Sequence, residues 1–489
     1  MNFRVISKYM GNILMLEGAF MLPAILVALI YKEYSSIPAF LITIALCLII
    51  GYGLSKVKQN SRGIYAKEAY VSVALGWLIL STFGCLPFII SGYIPNFIDA
   101  FFETVSGFTT TGSSILTNVE RLSNSMLYWR SFTHWLGGMG VLVFLMAIVP
   151  MSNTKGGGEG LRLMRAESPG PSVGKMTPTL KETARVLYKI YLAMTVLLIV
   201  ALIMTGMPVF DSITTAFGTA GTGGFGIKAD SMASYSYLTQ FVVAVGMMMF
   251  GVNFSVYYLI LIKQGKLAFR NEELKVYLGI ITIATFIIFC DIAGTYENLG
   301  VALLDSFFSV STIITTTGFA TANFDLWPQL SRFLLVLIMI SGASAGSTGG
   351  GVKVSRLMIL LKSIKREIVS VIRPRQVKAV MMDEKPVSEV VIRNTLAYFA
   401  VYWFIIIAST FMLTLIDGFD SETTITAVMA CINNIGPGLN MVGPAGNFSM
   451  FSPVSKIILS LNMLIGRLEI WPMLLLFTPS IYKNTAKKS

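Results

Sequence analysis

The stretch Gly218 to Gly226, GTAGTGGFG, contains GTGGFG, which satisfies the G-x-G-x-x-G pattern of a dinucleotide-binding turn. Glycines at this density can bring backbone N–H groups up to a phosphate, or backbone carbonyls up to a cation. Four related stretches decide between these chemistries. They read IDAFFETVSGFTTTGSS from Ile98, FDSITTAFGTAGTGGFG from Phe210, LDSFFSVSTIITTTGFA from Leu304 and FDSETTITAVMACINNIGPG from Phe419. Each opens with an apolar residue and Asp, continues through apolar or small residues, and reaches a Thr/Asn-Gly cluster. Aligned on Gly112, Gly223, Gly318 and Gly436, the glycines lie 13, 12, 13 and 16 residues after Asp99, Asp211, Asp305 and Asp420. A phosphate turn needs a strand before it and a helix after it in a parallel sheet. Here an apolar helical run precedes it, and the sister copies lack the pattern. Another glycine-rich run, GSTGGGVKVS from Gly346, fails as a phosphate loop because Val352 separates Gly351 from Lys353.

Each stretch is too short to cross a bilayer and too apolar for a solvated loop. That combination describes a re-entrant segment, a half-length helix followed by extended backbone that turns back out. Asp at the helix N-terminus complements the dipole, and the C-terminus favours positive charge at the membrane centre. Glycine lets the following backbone approach an ion, so that carbonyl oxygens replace its water. The carbonyls expected to line such a file belong to Thr110, Thr111 and Gly112, to Ala220, Gly221, Thr222 and Gly223, to Thr316, Thr317 and Gly318, and to Asn434, Ile435 and Gly436.

The elements that position these segments are membrane helices. Of the 489 residues 54% are hydrophobic and 13% charged, and the mean hydropathy is +0.72, beyond what a soluble globular surface tolerates. Apolar runs recur near 10–31, 37–55, 68–90, 125–149, 183–206, 236–263, 275–294, 331–361, 393–416 and 454–479. They are continuous rather than alternating, which favours a helical bundle over a barrel. The expected fold is an all-α polytopic membrane protein. Four pseudo-symmetric helix–pore-segment–helix repeats surround a central ion pore, preceded by two transmembrane helices. The divisions are 1–60 for the leading helices, then 61–160, 161–268, 269–385 and 386–489 for the repeats. The first span lacks a small-residue cleavage site and reads as a retained helix.

Lysine and arginine concentrate in 56–67, 150–182, 264–274, 362–392 and the tail after Ile481, whereas the opposite connections are acid-rich. The positive-inside rule then puts both termini in the cytoplasm. The net charge of +12 is mainly topological, and no aromatic-interleaved basic stripe points to nucleic acid. Cys47, Cys85, Cys290 and Cys431 fall in or beside apolar segments, with no disulfide framework or metal spacing.

At this point the sequence resembles the TrkH branch of the Trk/Ktr/HKT superfamily of potassium transporters over nearly its whole length. The matching residues are TTTG at Thr109–Gly112, TGGF at Thr222–Phe225, TTTGF at Thr315–Phe319, NNIGPG at Asn433–Gly438, HWLGGMG at His134–Gly140, SGASAGSTGGGVK at Ser341–Lys353 and GRLE at Gly466–Glu469. The two leading helices fit TrkH better than KtrB. The resemblance implies a single-chain pseudo-tetrameric pore that passes potassium into the cell, with no organic cofactor. It implies a homodimer in a bacterial or archaeal plasma membrane, working with a cytosolic nucleotide-binding ring of the RCK type, TrkA. In that superfamily a serine at the first filter glycine accompanies sodium permeation, so Gly112 favours potassium.

The run SGASAGSTGGG interrupts the second helix of the third unit, where it is either a close-packing face or a loop lining a cavity. The resemblance favours a loop beneath the filter that obstructs the pore, with Gly346, Gly349, Gly350, Gly351 and Lys353 as gating residues. Arg467 reads as an intramembrane charge near the middle of the last span, facing the pore as an electrostatic barrier or paired with an acid elsewhere. Glu469, two positions on and about 200° round a helix, is a poor direct partner. The only histidine, His134, reads as a hydrogen-bonding group between helices, and Glu17 as facing a helix neighbour or snorkelling. Segments 152–182 and 362–392 suit anionic lipid head groups, the regulatory ring, or both. A potassium symporter coupled to sodium or protons is the alternative function. An intramembrane enzyme fares worst, because no acid pair, metal-ligand cluster or serine-base constellation is visible.

Overall fold

The computed structural model describes residues 1, 3–57, 66–138, 140, 180–376, 378–479 and 482. The expected lower part of the 125–149 span, all of the 152–182 connection up to 179, and the divisions at 60/61 and 160/161 therefore lie outside the described residues.

Two long helices lead, α1 (Phe3–Ile30) and α2 (Ile37–Ser55). They cross closely because glycines face each other: a Cβ at Gly11 would come within 2.5 Å of the Gly51 carbonyl oxygen, and one at Gly51 within 2.8 Å of that of Gly11. Between lipid-embedded helices, which gain little from apolar burial alone, such close approach supplies the packing.

Four units of one design follow. The first is α3 (Ala66–Gly84), α4 (Leu86–Ile90), α5 (Phe97–Phe108) and α6 (Asn124–Gly138). The second is α7 (Leu180–Met204), α8 (Val209–Gly221), α9 (Tyr237–Phe250) and α10 (Phe254–Leu261), with α11 (Gly265–Arg270) as connector. The third is α12 (Glu272–Ile292), α13 (Leu299–Ile314), α14 (Gln329–Ser341) and α15 (Val354–Ile372). The fourth is α16 (Glu389–Asp417), α17 (Ser421–Ile432), α18 (Pro453–Arg467) and α19 (Trp471–Leu476). A two-residue hairpin, Met381–Met382 with Lys385–Pro386, interrupts the otherwise helical order.

The short helices α5, α8, α13 and α17 hold 12, 13, 16 and 12 residues. At 1.5 Å per residue, 12 residues reach about 18 Å, well short of a bilayer core of about 30 Å. Their starts are set locally: Asn96 accepts from Ile98 N at 2.8 Å, Asn298 from Gly300 N at 2.8 Å, and Asp420 from Thr423 N at 3.0 Å.

Among the described residues, six helices are long and apolar enough to cross a membrane, and a seventh span is a pair bent by 89° between α9 and α10. Of the ten expected spans, 68–90 is interrupted at Cys85 between α3 and α4 but still forms one apolar span, and three others are broken. The run 236–263 breaks at 251–253, 331–361 at 342–353, and 454–479 at 468–470. Hydropathy averages over such breaks, because Phe250 to Phe254 and Leu468 to Trp471 remain apolar on both sides.

The α1–α2 crossing is tested by substitution. Gly51→Leu is expected to lower the thermal unfolding midpoint in detergent, with an overpacking penalty of about 1–3 kcal/mol. Gly53→Leu, where a Cβ would meet nothing within 4 Å, should leave the midpoint in place.

Candidate functional site

Beyond the four half-helices the chain repeats one backbone pattern. Thr110, Thr222, Thr316 and Asn434 take left-handed φ values of 54°, 55°, 58° and 55°. The next residues, Thr111, Gly223, Thr317 and Ile435, turn their N–H groups back to the carbonyls of Ser106, Gly218, Thr312 and Ala430 at 2.8 to 2.9 Å. After them come glycines with φ of 86° at Gly112, 75° at Gly224, 89° at Gly318 and 99° at Gly436.

The loops close into a ring. A Cβ added to Gly112 would strike the carbonyl oxygen of Gly223, one on Gly224 that of Thr317, and one on Gly318 that of Ile435. The series returns to its start, where a Cβ on Gly436 would lie 2.9 Å from the Thr111 oxygen. Each loop thus leans its glycine on the carbonyl-bearing residue of the next. Only glycine combines this contact with positive φ.

This geometry shifts the second copy by one residue. The counterpart of Gly112 is Gly224 and not Gly223, while Gly223 stands where Thr111, Thr317 and Ile435 stand in the other copies. Ala220 and Gly221, expected as carbonyl donors, form the end of α8. The spacing from Asp211 to Gly224 becomes 13, equal to that in the first and third copies. In the fourth copy the position 13 before Gly436 is Thr423, and Asp420 is an N-cap preceding the helix. The Thr423 hydroxyl and N–H donate to Asp420 and hold its carboxyl below the usual carboxylate range.

The aspartates also tie the half-helices to the chain that packs on them. Asp99 pairs with Lys456 at 2.6 Å, Asp211 accepts from Tyr235 Oη at 2.8 Å, and Asp305 from Thr321 Oγ1 at 2.8 Å. Glu103 and Arg130, which sequence reasoning passes over, form a buried pair at 2.7 Å behind the first loop. Their signal is a charge placed inside each of two apolar segments.

Beneath the ring lies the small-residue run. It is a loop and not a helix-packing face, with positive φ at Gly342, Gly346, Gly351 and Lys353. Gly350 N donates to Thr316 Oγ1 at 2.6 Å, and Lys353 Nζ donates to the Gly349 carbonyl. A Cβ on Gly349 would stand 2.9 Å from the Thr315 oxygen, so the loop touches the underside of the ring. Glu273 on α12 holds both ends of the loop, accepting from Ala345 N at 2.7 Å and Ser355 N at 3.1 Å. At the α9–α10 break, Ser344 N donates to Gly251 O and Phe254 N to Gly346 O, each at 3.1 Å.

Arg467 is not at mid-helix. It is the last residue of α18, and the chain then turns through left-handed Glu469 and Ile470, at φ of 56° and 69°. Its guanidinium donates to the carbonyl of Thr348 in the loop at 2.8 Å and to that of Gly137 at 2.7 Å. Glu469 pairs instead with Arg356, whose guanidinium stands 4.1 Å over the Tyr398 ring.

His134 bonds across segments as expected. It accepts from Phe225 N through Nε2 at 3.2 Å, which leaves Nδ1–H to donate to Gly107 O at 2.8 Å. Of the two placements expected for Glu17, it takes the first: it is buried facing neighbouring helices and does not snorkel, and neither carboxyl oxygen has a hydrogen-bond partner among the described residues. Its surroundings are apolar, including Ile13, Phe20 and Phe108.

The chain matches the family model for TrkH, described as a cation transport protein, over residues 36–292 and 274–484. This chain belongs to the TrkH family. It is 35% identical to the Trk system potassium uptake protein TrkH of Salmonella typhimurium, covering 99% of this chain and 100% of that protein. It is 32% identical to the Trk system potassium uptake protein TrkG of Escherichia coli over 98% of this chain and 99% of that one. The crystal structure of the potassium transporter TrkH from Vibrio parahaemolyticus superposes with a TM-score of 0.88 at 30% identity, covering 99% and 100% of the two chains. The protein is thus an all-α polytopic membrane protein of a cation-transport family, and not an enzyme. Residues 1–35, most of them in α1, precede the part that matches the family model.

The contact between loop and ring is testable. Thr316→Val removes the acceptor of Gly350 N–H and leaves a buried donor unpaired, a loss of about 1–3 kcal/mol. Amide hydrogen exchange across 343–352 should accelerate in that variant. In Thr321→Val, which removes a hydroxyl bonded to Asp305 and not to the loop, it should not.

Proposed function

We propose that this chain passes potassium into the cell through the ring of Thr111, Gly223, Thr317 and Ile435 carbonyls and their neighbours in the four loops. The observation that carries this reading is the closed series of glycine–carbonyl contacts from Gly112 round to Thr111. A four-sided cage of backbone oxygens at the C-terminal ends of four half-helices suits a dehydrated monovalent cation. The names of the Salmonella and Escherichia relatives supply the ion, potassium, and the direction, uptake.

In this reading the filter carbonyls are those of Thr110–Gly112, Thr222–Gly224, Thr316–Gly318 and Asn434–Gly436. The loop at 342–353 blocks the path below them, and Arg467 bolts it there by bridging Thr348 and Gly137. A guanidinium at that depth repels a cation as well as holding the loop. Opening requires release of the Gly350–Thr316 bond and of Arg467 from the Thr348 carbonyl. The membrane potential drives the ion, at about 2.3 kcal/mol per unit charge per 100 mV. The basic connections are cytoplasmic and place both termini there, in a bacterial or archaeal plasma membrane. The protein works as a homodimer with an RCK-type TrkA ring, for which 362–392 and 152–182 supply the landing surface beside anionic lipid.

Reversal potentials in proteoliposomes test the reading. They should follow the potassium gradient at about 59 mV per tenfold for a single charge and stay unmoved by sodium or pH. A fixed dependence on a second ion would replace the channel-like reading with symport. Arg467→Ala should raise potassium flux severalfold, and unchanged flux from a folded variant would remove its gating role.

A further inference from the structure

The second loop differs from the other three at the residue whose carbonyl faces the ring. Thr111, Thr317 and Ile435 carry side chains there, whereas Gly223 carries none, is followed by Gly224 and lies two residues after Gly221. Thr111 and Thr317 are each fixed by a hydroxyl partner, Thr109 and Thr315, at 2.7 Å. A loop with three glycines in four residues has no such means of fixing its own carbonyl.

The place of the absent side chain is taken from the neighbouring helix. A Cβ built on Gly223 would run into the imidazole of His134, with Cε1 at 2.6 Å, and one on Gly221 would strike the His134 carbonyl oxygen. The ring is itself immobilised. Its nitrogens are bonded to Gly107 O and Phe225 N, and the Phe225 ring packs against it with centroids 4.1 Å apart. The Arg130 guanidinium also packs on Phe225, 3.5 Å from its ring centroid, and Nη1 donates to Gly226 O at 3.0 Å. Glu103 neutralises Arg130 and accepts from Ser114 Oγ and Ile115 N at 2.9 Å each. His134 and Arg130 stand one helical turn apart on α6, so one rigid face clamps the glycine-rich loop.

We propose that the His134 imidazole serves as the missing side chain of Gly223, and that the Arg130–Phe225–His134 stack sets the Gly223 carbonyl and thereby the ion discrimination of the ring. His134, Phe225 and Arg130 are positioning residues, acting through the backbone of the second loop. The inference rests on the potassium reading above. It requires neutral His134 to act by shape and hydrogen bonding, so no proton transfer is involved.

The test is the potassium-to-sodium permeability ratio of the full-length protein in proteoliposomes, read from bi-ionic reversal potentials. His134→Ala should lower the ratio by about fivefold or more, the scale of a lost ring–ring pair. Adding Gly223→Thr in that background refills the space from the loop side and should recover most of the ratio, an outcome a general loss of stability cannot give. If His134→Ala does not fold, Phe225→Leu, which removes the stack but no charge, should lower the ratio to a similar degree. A selective wild type whose ratio survives these single substitutions, or whose ratio is not recovered by Gly223→Thr, overturns the clamp alone. A wild type that does not discriminate potassium from sodium overturns the potassium reading and the clamp with it.

Discussion

Four backbone carbonyls gathered in one ring, each against the glycine of a neighbouring loop, form the constraint on which the rest of this structure depends. Oxygens so placed repel one another, and lipid offers no donor to relieve them. They stay put because each loop is wedged against the next, glycine on carbonyl, and because each carbonyl-bearing residue is bonded back into its own half-helix. The half-helices are pinned in turn by Asp99–Lys456, Asp211–Tyr235 and Asp305–Thr321. In the proposed function an ion coordinated by the oxygens completes the arrangement, which gives the geometry and the transport role one origin.

The broken helices follow from the same constraint. A continuous helix through 331–361 would leave the space under the ring open. Instead the chain unwinds at Gly342, runs beneath Thr315 and Thr316, and rewinds at Val354. Unwound backbone in a membrane needs partners, and here Glu273, Thr316, Arg467 and the α9–α10 break supply them. The unwound segment is thus held both by these hydrogen bonds and by burial of Ala343, Val352 and Val354.

Much of this is legible in residue types. The Asp-to-Gly spacing exposes the four half-helices, and the small residues at 341–351 mark the loop. The second copy is misread by one residue because Gly223 and Gly224 are adjacent and either satisfies a composition pattern. Only backbone φ and the contact with Thr317 separate them. Hydropathy puts Arg467 at mid-helix because the break after it uses Leu468 and Ile470, apolar residues that carry no sign of a left-handed turn. The Glu103–Arg130 pair, 27 positions apart in sequence, is a contact between helices that periodicity does not reveal. For Glu17 the placement against neighbouring helices is legible as one of two alternatives, whereas the apolar character of its pocket is set by distant segments.

The central claim is met most directly by crystallising the protein in rubidium chloride and locating the ion by its anomalous signal. The account predicts a peak on the axis between the carbonyls of Thr111, Gly223, Thr317 and Ile435. Rubidium bound elsewhere, with that position empty, would contradict it.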